Sequence, residues 1–287
     1  MNQANSTQLT GAPQAGFRPT PLAELFPAED YKFQIRFMRG EPGAFFQPTE
    51  AHAELVAQRR RWLRSTPELC AAWLPECEPL LDETIQLAKS AQAFADDPAL
   101  PARQRLLALG EFWEADFLLL KPGADGAMRL LGGCICFPSS WKLAEKLGHP
   151  VDFIHSVVPG LNASLGPAIH TFLAKLKPGI AWQRFNWGLS RSPELNQHPD
   201  RGLPRLDATV RLDEVWLRVE DQALVALPKS GGILFGIRIV NHSLVEIQAD
   251  PAVATAFSRA LQTMPDEMAR YKNLHTARDS VIRLLEA

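Results

Sequence analysis

Charged and polar side chains recur on single faces of three predicted strands, and they are the residues best placed to do chemistry. Because side chains alternate between the two faces of a strand, the residues that share a face in each strand are Arg184 and Asn186 in 181–188, Arg218 and Glu220 in 213–220, and Arg238 in 232–240. If these faces meet over one cavity, they form a strongly polarised site above an apolar floor. Such a site would aim hydrogen-bond donors and charge at one point of the cavity. A sheet with one solvated face gives the same alternation, so a surface role for these residues stays open.

Glu220 and Arg238 are the two residues of this set that we predict to be catalytic. Arg238 stands among apolar neighbours in the segment ILFGIRI, where a solvated face is less natural and a charged group needs a partner. Glu220 is the carboxylate of the set, so it is the group expected to hold a cationic substrate. We therefore expect the change Glu220→Gln to impair catalysis while any cofactor is retained.

A lone histidine, His155, lies in the segment 150–157, which reads PVDFIHSV and is predicted to form a short helix that starts at its proline. An imidazole among apolar residues is either a hydrogen-bonded core group or the ligand of a metal such as haem iron. His170 is the second candidate ligand. It lies beside the apolar stripe of the predicted helix 163–176, and we expect a surface or boundary position for it.

The amino-acid composition and charge indicate which partners and which location to expect for the protein. The counts of 30 basic and 32 acidic residues give a net charge of -2, so there is no electrostatic case for a nucleic-acid or anionic-membrane partner. No apolar run approaches the roughly 20 residues that cross a bilayer, and the N-terminus lacks the features of a signal peptide. We therefore expect a cytoplasmic protein. Its four cysteines, Cys70, Cys77, Cys134 and Cys136, are expected to be buried free thiols because neither pair has zinc-knuckle spacing.

The order of the predicted elements indicates the fold that would position these residues. Apolar runs, turn residues and helical spacing predict a hairpin, three helices and three further strands, at 116–121, 128–137, 140–147, 150–157, 163–176, 181–188, 213–220 and 232–240. Short connections favour antiparallel pairing. The prediction is an α+β fold, with a PAS-like antiparallel five-stranded sheet and helices that cover a ligand cavity.

The rest of the chain divides around this unit. We predict a disordered lead at 1–16, a mainly helical N-terminal segment at 17–110, the PAS-like domain at 111–245 and C-terminal helices at 246–287. Within the flanking parts, the sequence predicts one strand at 32–38 and helices at 49–64, 101–115, 250–262 and about 265–286.

Five blocks of sequence resemble, in their order and spacing, the alpha subunit of haem-dependent oxidative N-demethylase and its relatives. The blocks are GCICFPSSWKLAEKLGHP, IHSVVPG, RFNWGL, LRVEDQAL and LPKSGGILFGIRI. The resemblance extends from about Phe17 to the C-terminus. Val157, Leu161, Asp221 and Ile239 depart from the residues usual in the family. These departures bear on the substrate more than on the fold.

The resemblance implies a haem-binding PAS-like domain, in which a histidine holds the iron of haem b and a small secondary amine is oxidised with dioxygen. His155 matches that metal ligand. Trp141 and Trp187 are then expected as core or haem-wall residues, and Arg184 and Asn186 as further haem contacts.

The resemblance also implies partners. Electrons would come from a separate flavin or iron–sulfur reductase subunit, because this chain carries no motif for either group. Demethylation would release formaldehyde, which a folate-dependent partner could accept. Two alternatives stay open: a haem-based sensor or binding protein on the same scaffold, and a haem-free PAS-like domain that binds another small ligand.

Overall fold

The computed structural model describes residues 17–33 and 36–287. Its described part contains one antiparallel sheet of seven strands, which are β1 (Met38–Gly40), β2 (Ala71–Trp73), β3 (Asp116–Pro122), β4 (Met128–Cys134), β5 (Ala181–Ser190), β6 (Trp216–Leu227) and β7 (Gly232–Ser243). They adjoin in the order β1-β5-β6-β7-β3-β4-β2. The α+β class is confirmed, and the five predicted strands form the centre of the sheet.

The predicted number of strands is wrong, because short strands flank the five central ones. β1 pairs with β5, where Met38 lies opposite Gln183, and β2 pairs with β4, where Ala71 lies opposite Cys134. Strands of three residues are too short to show a period of two, so the sequence carries no signal for them. The predicted strand 32–38 is reduced to its last residue, and Gln34 and Ile35 lie outside the described residues.

β6 is longer than predicted. The alternating pattern ends near Glu220, but the strand runs on to Leu227. Residues from Asp221 to Val225 are all buried. Both faces of the strand are covered there. The sequence of a strand that is covered on both faces lacks the regular alternation of apolar and polar residues.

Twelve α-helices of the described part surround the sheet. They are α1 (Leu22–Leu25), α2 (Pro42–Phe45), α3 (His52–Ser65), α4 (Pro67–Cys70), α5 (Glu78–Gln92), α6 (Ala102–Phe112), α7 (Val151–His155), α8 (Leu161–Ala174), α9 (Leu244–Gln248), α10 (Pro251–Thr263), α11 (Asp266–Tyr271) and α12 (Arg278–Glu286). None of the described helices is long and apolar enough to cross a membrane.

The two faces of the sheet pack against different helices. One face, here called the α5/α6 face, buries Leu119, Val225 and Leu234 against α5 and α6. The opposite face, here called the α7/α8 face, packs Leu224 and Ile237 in one cluster with residues of α7 and α8. A further cluster joins the ends of β5 and β6 to α9 through α12.

The helix predicted at 140–147 is absent from the structure, where these residues form turns. Ser140 takes a left-handed conformation with φ of 61°. Its backbone N–H donates to the Gln197 carbonyl at 3.2 Å, and the Gln197 N–H donates to the Pro138 carbonyl at 3.1 Å. Hydrogen bonds to a distant loop therefore replace those of a first helical turn, although the local sequence suits a helix.

The C-terminal helices differ from the prediction in a similar way. The single helix expected at 265–286 is divided into α11 and α12. Asn273 lies between them with φ of 56°, a left-handed conformation that asparagine tolerates and that ends a helix. The prediction of a disordered lead at 1–16 lies outside the described residues, and the three domain boundaries stay predictions.

Candidate functional site

The register of β5 and β6 brings the predicted polar residues together. Arg184 lies opposite Gln222, and Asn186 lies opposite Glu220. These residues have the same parity as Trp182 and Leu224, which pack in the α7/α8 cluster. Arg184, Asn186, Arg218 and Glu220 therefore share the α7/α8 face, as the alternation required.

Glu220 lies at the centre of a hydrogen-bond network on this face. Its Oε1 accepts from Ser139 Oγ at 2.6 Å, and its Oε2 accepts from Gln222 Nε2 at 2.9 Å and from Asn186 Nδ2 at 3.4 Å. All three donors are neutral. The carboxylate is half-buried and forms no ion pair with a described residue, so its negative charge remains available to a cationic ligand.

Arg218 supports the same network from one side. Its Nε donates to Ser139 Oγ at 2.7 Å, and its Nη2 donates to the Phe137 carbonyl at 2.6 Å. Ser139 thus accepts from the guanidinium and donates to Glu220. Arg218 is only 3% exposed, and its Nη1 has no hydrogen-bond partner. Burial lowers the pKa of Arg218 to about 10, although the charge of Glu220 acts in the opposite direction.

Arg184 has an unsatisfied guanidinium. No hydrogen bond or ion pair joins its side chain to the described part of the chain, and its Nε is shielded from solvent. Burial lowers the pKa of Arg184, and the negative charge of Glu220 partly opposes this. The side chain is half-buried with only its Nε enclosed, so a charge partly withdrawn from solvent lacks a partner, which is unfavourable. An anionic ligand at this position would remove the cost.

His155 is the last residue of α7 and is half-buried. Its Nδ1 is enclosed and has no hydrogen-bond partner. Burial lowers the pKa of His155, and the nearby charge of Arg184 lowers it further. The ring is therefore held in its neutral form, which is the form that binds metals.

His170, the second candidate ligand, has a partner. Its Nε2 lies 2.6 Å from Asp152 Oδ1, and both side chains are substantially exposed. This is the boundary position that the helical pattern indicates. Of the two histidines, His155 is the one with a free ring nitrogen inside the protein.

The two tryptophans predicted as core or haem-wall residues lie on opposite faces of the sheet. Trp141 is half-buried and packs against the α7/α8 cluster. Trp187 is buried on the other side, with its ring centroid 5.2 Å from that of Phe26 and 5.5 Å from that of Phe257. Trp187 is therefore a core residue, and the structure does not bring its ring to the α7/α8 face.

Arg238 is also separated from the other site residues. In the β6–β7 register it lies opposite Asp221, so its side chain is on the α5/α6 face. Its guanidinium donates to Glu114 Oε2 at 2.5 Å and to the Phe45 and Gln47 carbonyls at 2.7 and 2.5 Å. The expectation that Arg238 joins Glu220 over one cavity is wrong, because the alternation fixes which residues share a face but not which faces of neighbouring strands coincide.

Lys272 and Tyr271, which follow from no spacing in the sequence, lie at the exposed edge of β5. Lys272 Nζ donates to the Trp187 carbonyl and to Asn186 Oδ1, the latter at 3.3 Å, and it lies 4.6 Å from the Trp187 ring centroid. Burial lowers the pKa of Lys272 to about 8. Burial also raises the pKa of Tyr271, and the charge of Glu220 adds to that effect. The end of α11 thus extends the site beyond the predicted set.

The α7/α8 face is open above Gly188 and is incompletely covered by α8. A Cβ built on Gly188, which lies opposite Arg218, would meet no atom within 4 Å. Some apolar side chains of α8 and of the sheet face that it covers are only partly buried. They are Ile169, Phe172, Trp182, Phe235 and Ile239. A flat apolar group could bury this surface.

Together these residues offer a neutral imidazole with an unpaired nitrogen, a guanidinium without a partner and a carboxylate without an ion pair, beside partly buried apolar surface. Within residues 17–33 and 36–287, no three His, Cys, Asp or Glu side chains cluster as metal ligands. A metal carried by its own macrocycle needs only one axial side chain. The four cysteines are buried free thiols, as predicted.

Comparison with protein families gives one match. A model described as "Haem-dependent oxidative N-demethylase, alpha subunit-like" matches residues 86–282, which is well over half of the chain. The matched range contains every residue placed above on the α7/α8 face, together with His155, Tyr271 and Lys272.

Proposed function

The chain belongs to the haem-dependent oxidative N-demethylase alpha subunit-like family, and from this premise we propose that it oxidises a small secondary amine with dioxygen at haem b. The alpha-subunit-like family implies a partner subunit. We propose that this partner is a flavin or iron–sulfur reductase, and that a folate-dependent protein accepts the formaldehyde released. The segment 111–245 is proposed as the PAS-like haem domain, and the protein is proposed to be cytoplasmic.

The observation that carries this proposal is the state of His155. Its imidazole is neutral, enclosed at Nδ1 and without a hydrogen-bond partner in the described chain. A buried imidazole normally has a partner, and an iron atom would supply one. His155 is therefore the residue that would hold the haem iron.

Other residues of the face fit the remaining parts of the cofactor. Arg184, which lacks a partner, would pair with a propionate, and Asn186 would lie beside it on the same strand. Trp141 and the half-buried apolar residues under α8 would pack against the ring. Trp187 lies on the other face of the sheet, so we propose no haem contact for it.

When bound, haem supplies the iron at which dioxygen is reduced and the amine is oxidised. Glu220 would hold the ammonium group of the substrate, because its hydrogen-bond donors are neutral and it forms no ion pair with a described residue. It would also accept the ammonium proton before oxidation, since an amine must be neutral to lose electrons. Arg218 and Ser139 would keep the Glu220 carboxylate in one orientation.

The absorption spectrum of protein expressed with a haem supply tests the proposal. We expect a Soret band in the wild type and in His170→Ala, and its loss or shift in His155→Ala, because His155 Nδ1 is enclosed and unpaired whereas His170 is bonded to Asp152. A wild-type protein without a Soret band would contradict the enzymatic proposal and leave a small-ligand domain free of haem. Haem without amine turnover in the presence of a reductase would favour a sensor.

A further inference from the structure

A partly enclosed cavity lies apart from Glu220, Arg184 and His155, none of which lines it. This cavity of about 210 Å³ lies between α3, α4, the segment that follows β4, and the loop 190–202. Its walls include Trp62, Leu69 and Cys70. The volume is below the roughly 300–1,000 Å³ of sites for drug-sized ligands. Only a small molecule fits.

Asn196 presents hydrogen-bond donors to this cavity. The side chain is 4% exposed and lines the cavity wall. Its Oδ1 accepts from the His198 backbone N–H at 3.0 Å, which fixes the orientation of the amide. The NH₂ group therefore points away from that bond, and no described residue accepts from it. The group belongs to a residue that lines the cavity, so a molecule bound there could accept a hydrogen bond from it.

His198 presents a second donor. It is 5% exposed and lines the same cavity. Its Nδ1 accepts from the Asp200 backbone N–H at 3.3 Å, so the ring proton of the neutral form resides on Nε2. Burial lowers the pKa of His198, which keeps the ring neutral. No residue in the described part of the chain accepts from Nε2.

The charged residues around the cavity are already paired. Arg201 contacts Glu194 at 3.2 Å, and its guanidinium lies 4.7 Å from the centroid of the Trp62 ring. Asp200 contacts Lys142 at 2.7 Å. A charged ligand would therefore enter a partly apolar space without a free counter-ion, which is costly. A neutral ligand would not meet this cost.

We propose that the cavity binds a small neutral carbonyl compound, an amide or an aldehyde, whose oxygen accepts hydrogen bonds from Asn196 Nδ2 and His198 Nε2. The apolar remainder of such a molecule packs against Leu69 and Trp62. The proposal does not rest on haem or on the proposed function. Its test is therefore independent of theirs.

Acetamide is the probe, observed by saturation-transfer NMR on the full chain. We expect saturable binding in the millimolar range, because so small a ligand gains little affinity. Asn196→Asp keeps the acceptor for the His198 N–H but removes the NH₂ donors, so we expect binding to weaken about tenfold. Asn273→Asp makes the same chemical change at an exposed position and should bind as the wild type does.

A second variant covers the case in which Asn196→Asp does not fold. Leu69→Trp fills the cavity from a half-buried position on α4 and should abolish acetamide binding. The proposal is overturned if acetamide gives no saturable signal in the wild type, or if Leu69→Trp binds it normally. Binding of acetate or methylammonium as tightly as acetamide would equally overturn the choice of a neutral ligand.

Discussion

At the scale of single residues, the site is defined by which polar groups have partners and which do not. Glu220 accepts three hydrogen bonds from neutral groups, so it is well oriented but retains its charge. Arg184 and His155 have the opposite character, since each holds an enclosed nitrogen without a partner. Native proteins rarely leave such groups unsatisfied. Because the unpaired nitrogens of Arg184 and His155 lie near each other, we expect a ligand between them.

Glu220→Gln tests the role proposed for the carboxylate. The variant keeps the shape of the side chain but cannot hold or deprotonate an ammonium ion, and its NH₂ group would face the donors of Gln222 and Asn186. We expect haem binding to be unchanged and the turnover number to fall by about a hundredfold. Steady-state kinetics and the Soret absorbance of the same samples measure the two effects.

Glu145→Gln is the matched control, because Glu145 is exposed and no hydrogen bond joins its side chain to the network. It should keep wild-type turnover. Full activity in Glu220→Gln would show that Glu220 takes no part in catalysis.

Much of the site could be predicted at this scale, and what failed has a physical cause. Alternation within one strand correctly grouped Arg184 with Asn186 and Arg218 with Glu220. It could not place Arg238, because the residue opposite Glu220 on β7 is Ile239. Register between strands depends on turns and on packing, which a periodic pattern does not contain.

At the scale of elements, the two faces of the sheet differ in how completely the helices cover them. The α5/α6 face is closed by Phe45, Leu80 and Trp113, all less than 2% exposed. On the α7/α8 face, helix α8 buries only Leu161 and Gly166. A face that is fully packed stabilises the sheet, and a face that is loosely covered can admit a ligand. Residues 140–147, predicted as a helix, contribute Trp141 and Leu143 to the second face, and Ser139 just before them donates to Glu220.

Arg238→Met tests whether Arg238 stabilises the fold. The guanidinium is 4% exposed and links β7 to Glu114 and to the backbone at the end of α2. Its removal leaves Glu114 buried without its main counter-charge, so we expect the free energy of unfolding to fall by about 3–5 kcal/mol. Urea denaturation of the full chain measures the change.

Arg103→Met serves as the control, since Arg103 is exposed on α6 and should change stability little. The double variant Arg238→Met with Glu114→Gln should recover part of the loss, because the unpaired charge is then absent. An Arg238→Met protein of native stability that had lost turnover would instead favour the catalytic role predicted from the sequence.

At the scale of the whole molecule, the C-terminal helices bring residues that are distant in the sequence to the site. The chain passes from β7 through α9 and α10 before α11 returns to the edge of β5. There Lys272 contacts the Trp187 carbonyl and Asn186, which is itself bonded to Glu220. No local pattern relates Lys272 to residues so far back in the chain. This part of the site could not be predicted without the fold.

The contact of Lys272 with the sheet makes stability depend on pH in a defined direction. Burial lowers the pKa of Lys272 to about 8 in the folded protein, below its ordinary value of 10.5. Between these values the folded state loses this proton while the unfolded state keeps it. The unfolded state then binds more protons, so stability rises with pH in this window, by at most about 1.4 kcal/mol per pH unit.

Buried thiols have the opposite effect on the pH dependence of stability over part of the same pH range. Burial raises the pKa of Cys77 to about 12, so the unfolded state loses that proton first and stability falls as the medium becomes alkaline. The wild type alone would therefore show a mixture of effects. A comparison of two proteins that share all their thiols isolates the contribution of the lysine.

We expect the free energy of unfolding of the wild type to rise relative to that of Lys272→Met as the pH increases from 8 to 10. Urea denaturation of both proteins at pH 7, 8, 9 and 10 measures the difference. Lys177→Met removes an exposed lysine and should track the wild type throughout. A constant difference between the wild type and Lys272→Met would mean that Lys272 keeps its proton in both states. In that case α11 would be bound to the sheet edge by an ordinary solvated ammonium group, and the charge balance around Glu220 would not change with pH in this range.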